Sequence, residues 1–309
     1  MRAASPAPEI AESVRFGPTG EPADLLIEVP HGATARRHFD ELAARLAGPL
    51  PDDLAAFFHV NTDEGAPELA AEVARALAGA WRVRVVRALV PRTLIDVNRV
   101  VEGEVAAGMT AGLPAYLRDP ADRALLLDLH ARYTALAADA YAETCGAGGL
   151  ALALHTYAPR SVEVEIGDDV VAALRAAYRP AALGRWRLRP EIDLITRAPD
   201  GEDLSPRALA DELAAGLRDA GWEVAENSTY TLHPASTGHR HARRWPGRVL
   251  CVEVRRDLLG DPWIPFEPSP IDAAAVARLA APLAAALDRA LRRRAAAAPQ
   301  PSASSRVRV

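Results

Sequence analysis

Lysine is absent from this chain of 309 residues, so all 36 of its basic side chains are arginine. Alanine is correspondingly abundant, and GC-rich coding accounts for both, so arginine content by itself carries no functional meaning. Basic excess is missing too: the formal net charge is -5 and the isoelectric point is near 5.9, which argues against nucleic acid as a partner. Cysteine is scarce. Cys145 and Cys251 lie far apart and form neither a disulfide framework nor a metal-type pair, as expected of a reducing compartment. No apolar run approaches the ~18 residues of a membrane span, and residues 1–23 contain no signal-like apolar stretch. The expectation is a cytoplasmic protein with no membrane partner. The sequence is silent on oligomeric state.

Half of the residues are hydrophobic, enough for a large core. Residues 1–23 are punctuated by Pro, Gly and Ser and read as an extended lead-in. Beyond them, strand-like and helix-like patterns alternate. "DLLIEV" (24–29) and "LALALHTYA" (150–158) are near-continuous apolar runs, typical of strands covered on both faces. "FFHVN" (57–61), "WRVRVVRAL" (81–89), "EIDLIT" (191–196), "GWEVAEN" and "RVLCVEVRR" (248–256) are further strand candidates. Helical spacing covers 35–48, 67–80, 119–144, 206–219 and 271–294, the last with Pro282 expected to bend it. The tail from 295 has few core-forming residues and reads as disordered. The alternation predicts a single α/β/α domain over 24–294, three layers around a mixed, mostly parallel sheet.

Ligand sites in such sheets lie beyond the carboxyl ends of the strands. His31, Asp63 with Glu64, Asn98 with Arg99, His155 and Glu253 are the polar residues expected there. Two histidines and a carboxylate suit catalytic zinc, which keeps one position open and brings the pKa of its water toward about 7. Glu253 stands inside an apolar strand, where a carboxylate is costly unless paired or functional, so it is the candidate base. Each residue has a plainer reading. Glu253 can pair with Arg255 or Arg256 at a solvated edge, His155 can be a core histidine, and Asp63 can cap the helix near Pro67.

Six segments in order, "VPHG", "TDEGA", "IDVNR", "HTY", "ENSTY" and "EVRRDL", resemble the N-formylglutamate amidohydrolase family over roughly residues 24–260. The resemblance implies a zinc-carboxypeptidase-like fold, shared in outline with aspartoacylases, and one Zn²⁺ per chain. It implies His31, Asp63 and His155 as metal ligands, with Glu64 as the alternative carboxylate, and Glu253 as the general base. Asn98, Arg99, Asn227, Tyr230 and Arg256 would contact substrate, and Tyr230 or Arg160 would steady the oxyanion. Asp96 would orient its loop or Arg99. The substrate would be a carboxylate-bearing N-acyl amino acid or a peptide.

The chain departs from the family pattern in three places. No small hydroxyl residue follows the histidine in "PHGA", where Gly32 stands instead, Ala153 stands where an Asp is usual two residues before the second histidine, and "ENSTY" lacks a following double glycine. The acyl group and amino acid therefore stay open. The same constellation on another C–N bond, such as a peptide or guanidinium group, remains an alternative, as does a non-catalytic binding protein that kept the fold. His233, His239 and His241 fall in a basic stretch expected to be a solvated loop, with a second metal site or a substrate lid as alternatives.

Overall fold

The computed structural model describes residues 9–20, 22–101 and 110–297. Among them, seven strands form one mixed sheet: β1 (Ala11–Phe16), β2 (Leu25–Val29), β3 (Val83–Ala88), β4 (Leu150–Tyr157), β5 (Ile192–Ile195), β6 (Val224–Glu226) and β7 (Val249–Arg255). Their order across the sheet is β1-β3-β2-β4-β7-β5-β6. The central four, β3, β2, β4 and β7, run parallel, while β1 pairs antiparallel with β3 and β5 antiparallel with β7. β2 and β4 are buried along their whole length, as the two uninterrupted apolar runs predict.

Alternation along the strands separates the two faces. Leu25, Ile27, Leu152, Leu154, Leu250 and Val252 pack on one face against α3 (Ala66–Leu77), α7 (Arg207–Asp219) and α9 (Ala273–Ala297). Leu26, Ala151, Ala153 and Cys251 pack on the other against α4 (Pro120–Gly146) and α8 (Thr237–Arg244). Each fully buried leucine or isoleucine contributes about 1.5–3 kcal/mol, so these two faces hold most of the structure together. A further apolar cluster joins α1 (Arg36–Ala43), α2 (Leu54–Asn61) and α5 (Val170–Ala177) to α4.

Three expectations change. "FFHVN" is not a strand but the end of α2. Leu54, Phe57 and Phe58 are buried against the α4 cluster, and that packing overrides the strand preference of two aromatics and a valine. The stretch read as a lead-in contributes β1, paired along its full length with β3. The "GHRHARR" stretch forms α8, capped by Ser236 Oγ, which accepts from the His239 N–H; His241 is buried and stacked on Tyr141 with ring centroids 3.8 Å apart. α9 continues through Pro282, and most of the tail expected to be disordered lies outside the described residues.

Glu28 is buried in β2, and its carboxylate accepts from the Tyr133 and Tyr141 hydroxyls of α4 at 2.9 and 2.8 Å. Burial first, then the Glu28 charge, pushes both tyrosine hydroxyls well above their ordinary range. Tyr141→Phe removes one of the two donors from a buried charge. We expect a loss of about 1–3 kcal/mol, seen as a lower urea midpoint with an unchanged slope.

Candidate metal centre

The parallel strands deliver their carboxyl ends to one edge of the sheet. β2 ends in Pro30 and a turn, Gly32 N–H donating to the Val29 carbonyl, and this turn presents His31. His155 is the sixth residue of β4 and lies directly opposite Glu253 of β7 in register. Asp63 arrives differently. It sits in the turn between α2 and α3, not at a strand end. The turn is tied to the β2 exit by Thr62 Oγ1, which donates to the carbonyls of His31 and Ala33, and by the Asp63 N–H, which donates to the His31 carbonyl at 3.4 Å. Gly65 closes the turn at φ +86°, where a Cβ would lie 2.7 Å from Leu259 Cδ1. Gly65, and not Asp63, occupies the N-cap of α3.

His31, Asp63 and His155 form a buried group whose potential ligand atoms lie within 4.8 Å of one another. Both imidazoles point Nδ1 at the same carboxylate oxygen, Asp63 Oδ2, at 3.2 Å from His31 and 2.9 Å from His155. Around a tetrahedral zinc with bonds near 2.0–2.1 Å, neighbouring donors stand about 3.3 Å apart. The trio therefore fits one small divalent cation with little rearrangement. His31 Nε2 is held by Asp96 Oδ1 at 2.8 Å, the outer carboxylate that metal-bound histidines commonly carry.

Charge within the trio is strongly coupled. Burial pushes the Asp63 carboxyl up, but the two histidines outweigh it and hold Asp63 far below the usual carboxylate range. Burial pulls His155 down, and its bond to Asp63 with the Glu253 charge more than reverses this. Asp96 is likewise held well below its ordinary value by His31, Arg92 and Arg99 against the cost of burial. Glu253 is the exception. Burial raises it, and the neighbouring Asp63 charge adds to the rise. No described residue hydrogen-bonds its carboxylate, and it does not pair with Arg255, which is taken by Asp257.

Glu64, the alternative ligand, points away from the trio to His59 Nδ1 at 3.1 Å and to the N–H and hydroxyl of Ser269. Arg256 lies beneath Asp63 and not in an open cleft. It is 3% exposed, 3.9 Å from Asp63 Oδ1, and donates to the Val60 carbonyl, so the structure places it against Asp63 beneath the trio. Arg160 donates to the Trp186 carbonyl, and no contact joins it to the trio. Asn227, at φ +53°, spends its amide on Thr196 and the Arg197 N–H, stapling the ends of β5 and β6 at the far edge of the sheet.

Asn98 and Arg99 follow β3 in a loop stitched to α8 and α4: Thr237 Oγ1 donates to Asn98 Oδ1, and His130 Nε2 bonds the Arg99 carbonyl at 2.7 Å. Arg99 Nε is buried with no hydrogen-bond acceptor. Two arginines escaped the sequence reading. Arg92 Nε stands 3.1 Å from Asp96 Oδ2 and feels the charges of Asp63 and Glu253, and Arg189 acts on Glu253 and Tyr230. In a chain whose basic residues are all arginine, neither had a distinguishing signal except that Arg92 follows β3 closely.

The N-formylglutamate amidohydrolase family model matches residues 23–259. The chain belongs to that family, and it is a hydrolase acting on C–N bonds. Its fold resembles that of N-formylglutamate amidohydrolase from Ralstonia eutropha JMP134, with TM-score 0.59 and 19% identity over 93% of this chain and 99% of that one. A gene product of Agrobacterium tumefaciens is similar at TM-score 0.54 and 20% identity, over 93% and 96% of the two chains. No curated protein matches. Among the described residues of this amidohydrolase, no helix is long and apolar enough to cross a membrane.

Proposed function

We propose that this amidohydrolase uses one divalent ion, zinc by the chemistry of its donors, to cleave the amide of a carboxylate-bearing N-acyl amino acid. The observation that carries the reading is the buried convergence of His31 Nδ1, His155 Nδ1 and Asp63 Oδ2 beside the unbonded carboxylate of Glu253. Those three residues would hold the ion. Bound there, it would supply Lewis acidity toward the amide carbonyl and make a water more acidic. Glu253 accepts the proton of the attacking water as its oxygen adds to the acyl carbon. The same carboxyl then gives that proton to the departing amine nitrogen as the C–N bond breaks. Its raised proton affinity suits both halves of the task.

Arg99 fits the substrate carboxylate. Its buried Nε makes no hydrogen bond and stands 3.9 Å from Asp96 Oδ2, and Asn98 Nδ2 beside it makes no hydrogen bond with the described residues. A guanidinium edge and an amide donor can grip one carboxylate. Arg92, in place of Arg160, is positioned by Asp96 to oppose negative charge as it develops near Glu253 and Asp63.

The test is amine release from N-formyl- and N-acetylglutamate by the zinc-loaded protein, compared with the uncharged amides of the same compounds. Hydrolysis confined to the carboxylate-bearing substrates is expected, with KM raised about tenfold to a hundredfold by Arg99→Met. Equal rates on the amides would remove the carboxylate from the reading.

A further inference from the structure

Tyr230 is 43% exposed, yet its hydroxyl is held in place. Arg189 Nη2 donates to it at 2.9 Å, and the Arg189 guanidinium lies over the Tyr230 ring at 5.5 Å and over the Tyr157 ring at 5.0 Å. The remaining edges of the guanidinium are anchored: Nε donates to Ser161 Oγ and Nη1 to the Ala158 carbonyl, both at 3.2 Å. The Arg189 backbone is fixed as well, its N–H donating to Pro159 O and its carbonyl accepting from Arg255 Nη1. Arg189 is thus part of the rigid exit of β4, where His155 lies, whereas Tyr230 belongs to the segment between β6 and α8.

That segment reaches the metal edge by a sharp reversal. Because β5 and β6 run against β7, the end of β6 points away from the trio. Asn227 turns the chain in the left-handed region, and the buried Asp193 carboxylate receives the N–H groups of Ser228 and Thr229 at 3.1 and 2.6 Å. Asp193 is opposite Glu253 in register, so the returning chain is laid alongside the catalytic strand. The charges of Glu253, Arg92 and Arg99 all act on the Tyr230 phenol.

We propose that Arg189 is a positioning residue that fixes Tyr230 at the mouth of the centre, with the phenol proton turned toward an oxygen of the bound substrate. The direction follows from the bond already made. A guanidinium only donates, so the Tyr230 oxygen accepts from Arg189, and its own proton is left for another acceptor. An ordinary surface stack would place no such demand on the hydroxyl. The substrate role of Tyr230 rests on the amidohydrolase reading above; the hold of Arg189 on Tyr230 does not.

The experiment measures kcat, KM and thermal midpoint for Arg189→Met, Arg189→Lys, Tyr230→Phe and the Arg189→Met/Tyr230→Phe double variant. It is run beside ¹⁹F NMR of the 3-fluorotyrosine-labelled protein, with the Tyr230 resonance assigned by its loss in Tyr230→Phe. The expected result is a KM rise of about tenfold in Arg189→Met and in Tyr230→Phe, no further rise in the double variant, partial recovery in Arg189→Lys, and near-constant midpoints. The Tyr230 resonance should move in Arg189→Met whether or not substrate is turned over. Multiplying effects in the double variant, an unchanged KM, or losses that only follow a falling midpoint would overturn the proposal. An unmoved resonance would overturn the hold itself. If the wild-type protein hydrolyses no N-acyl amino acid, the substrate role falls with the functional reading, and the resonance still decides whether Arg189 holds Tyr230.

Discussion

Replacing Glu253 by Gln is expected to lower kcat by about 10²–10⁴ while leaving the metal content of the protein unchanged. Glu253 makes no hydrogen bond with the described residues, so removing its charge breaks no hydrogen bond of the fold. Glutamine keeps the volume and the place in β7 opposite His155, and it cannot take up a proton. Loss of turnover with an intact fold and an intact metal complement would isolate the proton transfer. Parallel measurement of thermal midpoint, bound metal and rate makes the comparison. A variant that keeps more than about a tenth of wild-type activity would place the base elsewhere.

Asp63 should behave in the opposite way, because it is bound into everything around it. Its carboxylate meets both histidine Nδ1 atoms and stands over the 3%-exposed guanidinium of Arg256. Asp63→Ala strips the only carboxylate from the trio and leaves Arg256 without its nearest countercharge at 3.9 Å. Removing one partner of a buried ion pair typically costs about 3–5 kcal/mol. We therefore expect loss of metal retention, loss of turnover and a lowered denaturant midpoint together. Asp63→Asn, which keeps the shape, should retain more stability and still lose the metal. Equal metal retention by wild type and Asp63→Asn would remove Asp63 from the ligand set.

Much of this site could be read in the sequence because the chemistry needs particular atoms at strand ends. His31 follows a buried apolar run at once, and His155 ends another, so a parallel sheet had to bring them to one edge. Glu253 was legible as a charge inside an apolar strand, and Asp63 as an acid before a glycine with positive φ. What the sequence did not show about the other candidates has a common cause: their surroundings come from contacts distant in sequence. Arg256 looked like a substrate arginine because it follows β7, and the chain turns there and tucks it under Asp63. Asn227 looked like part of a substrate loop, and the structure shows its amide bonded to Thr196 and the Arg197 N–H after β6.

Local pattern misled where packing prevailed. Two phenylalanines and a valine in 57–61 favour a strand, and burial against α4 made them a helix whose end delivers Asp63. The basic stretch 237–244 looked solvated, but one face of α8 is buried, with His241 against Tyr141. Arg92 and Arg189 were hidden by number alone, two arginines among 36, and only their closeness to Asp96 and Tyr230 sets them apart.

The central claim is that the buried trio holds a divalent ion that hydrolysis requires. The most direct measurement is elemental analysis of the purified protein after zinc loading and exhaustive dialysis, for wild type and for the His31→Ala/His155→Ala double variant. About one zinc per chain in the wild type and none in the double variant is the predicted result. A folded wild-type protein that retains no metal, or a double variant that retains as much as the wild type, would contradict it.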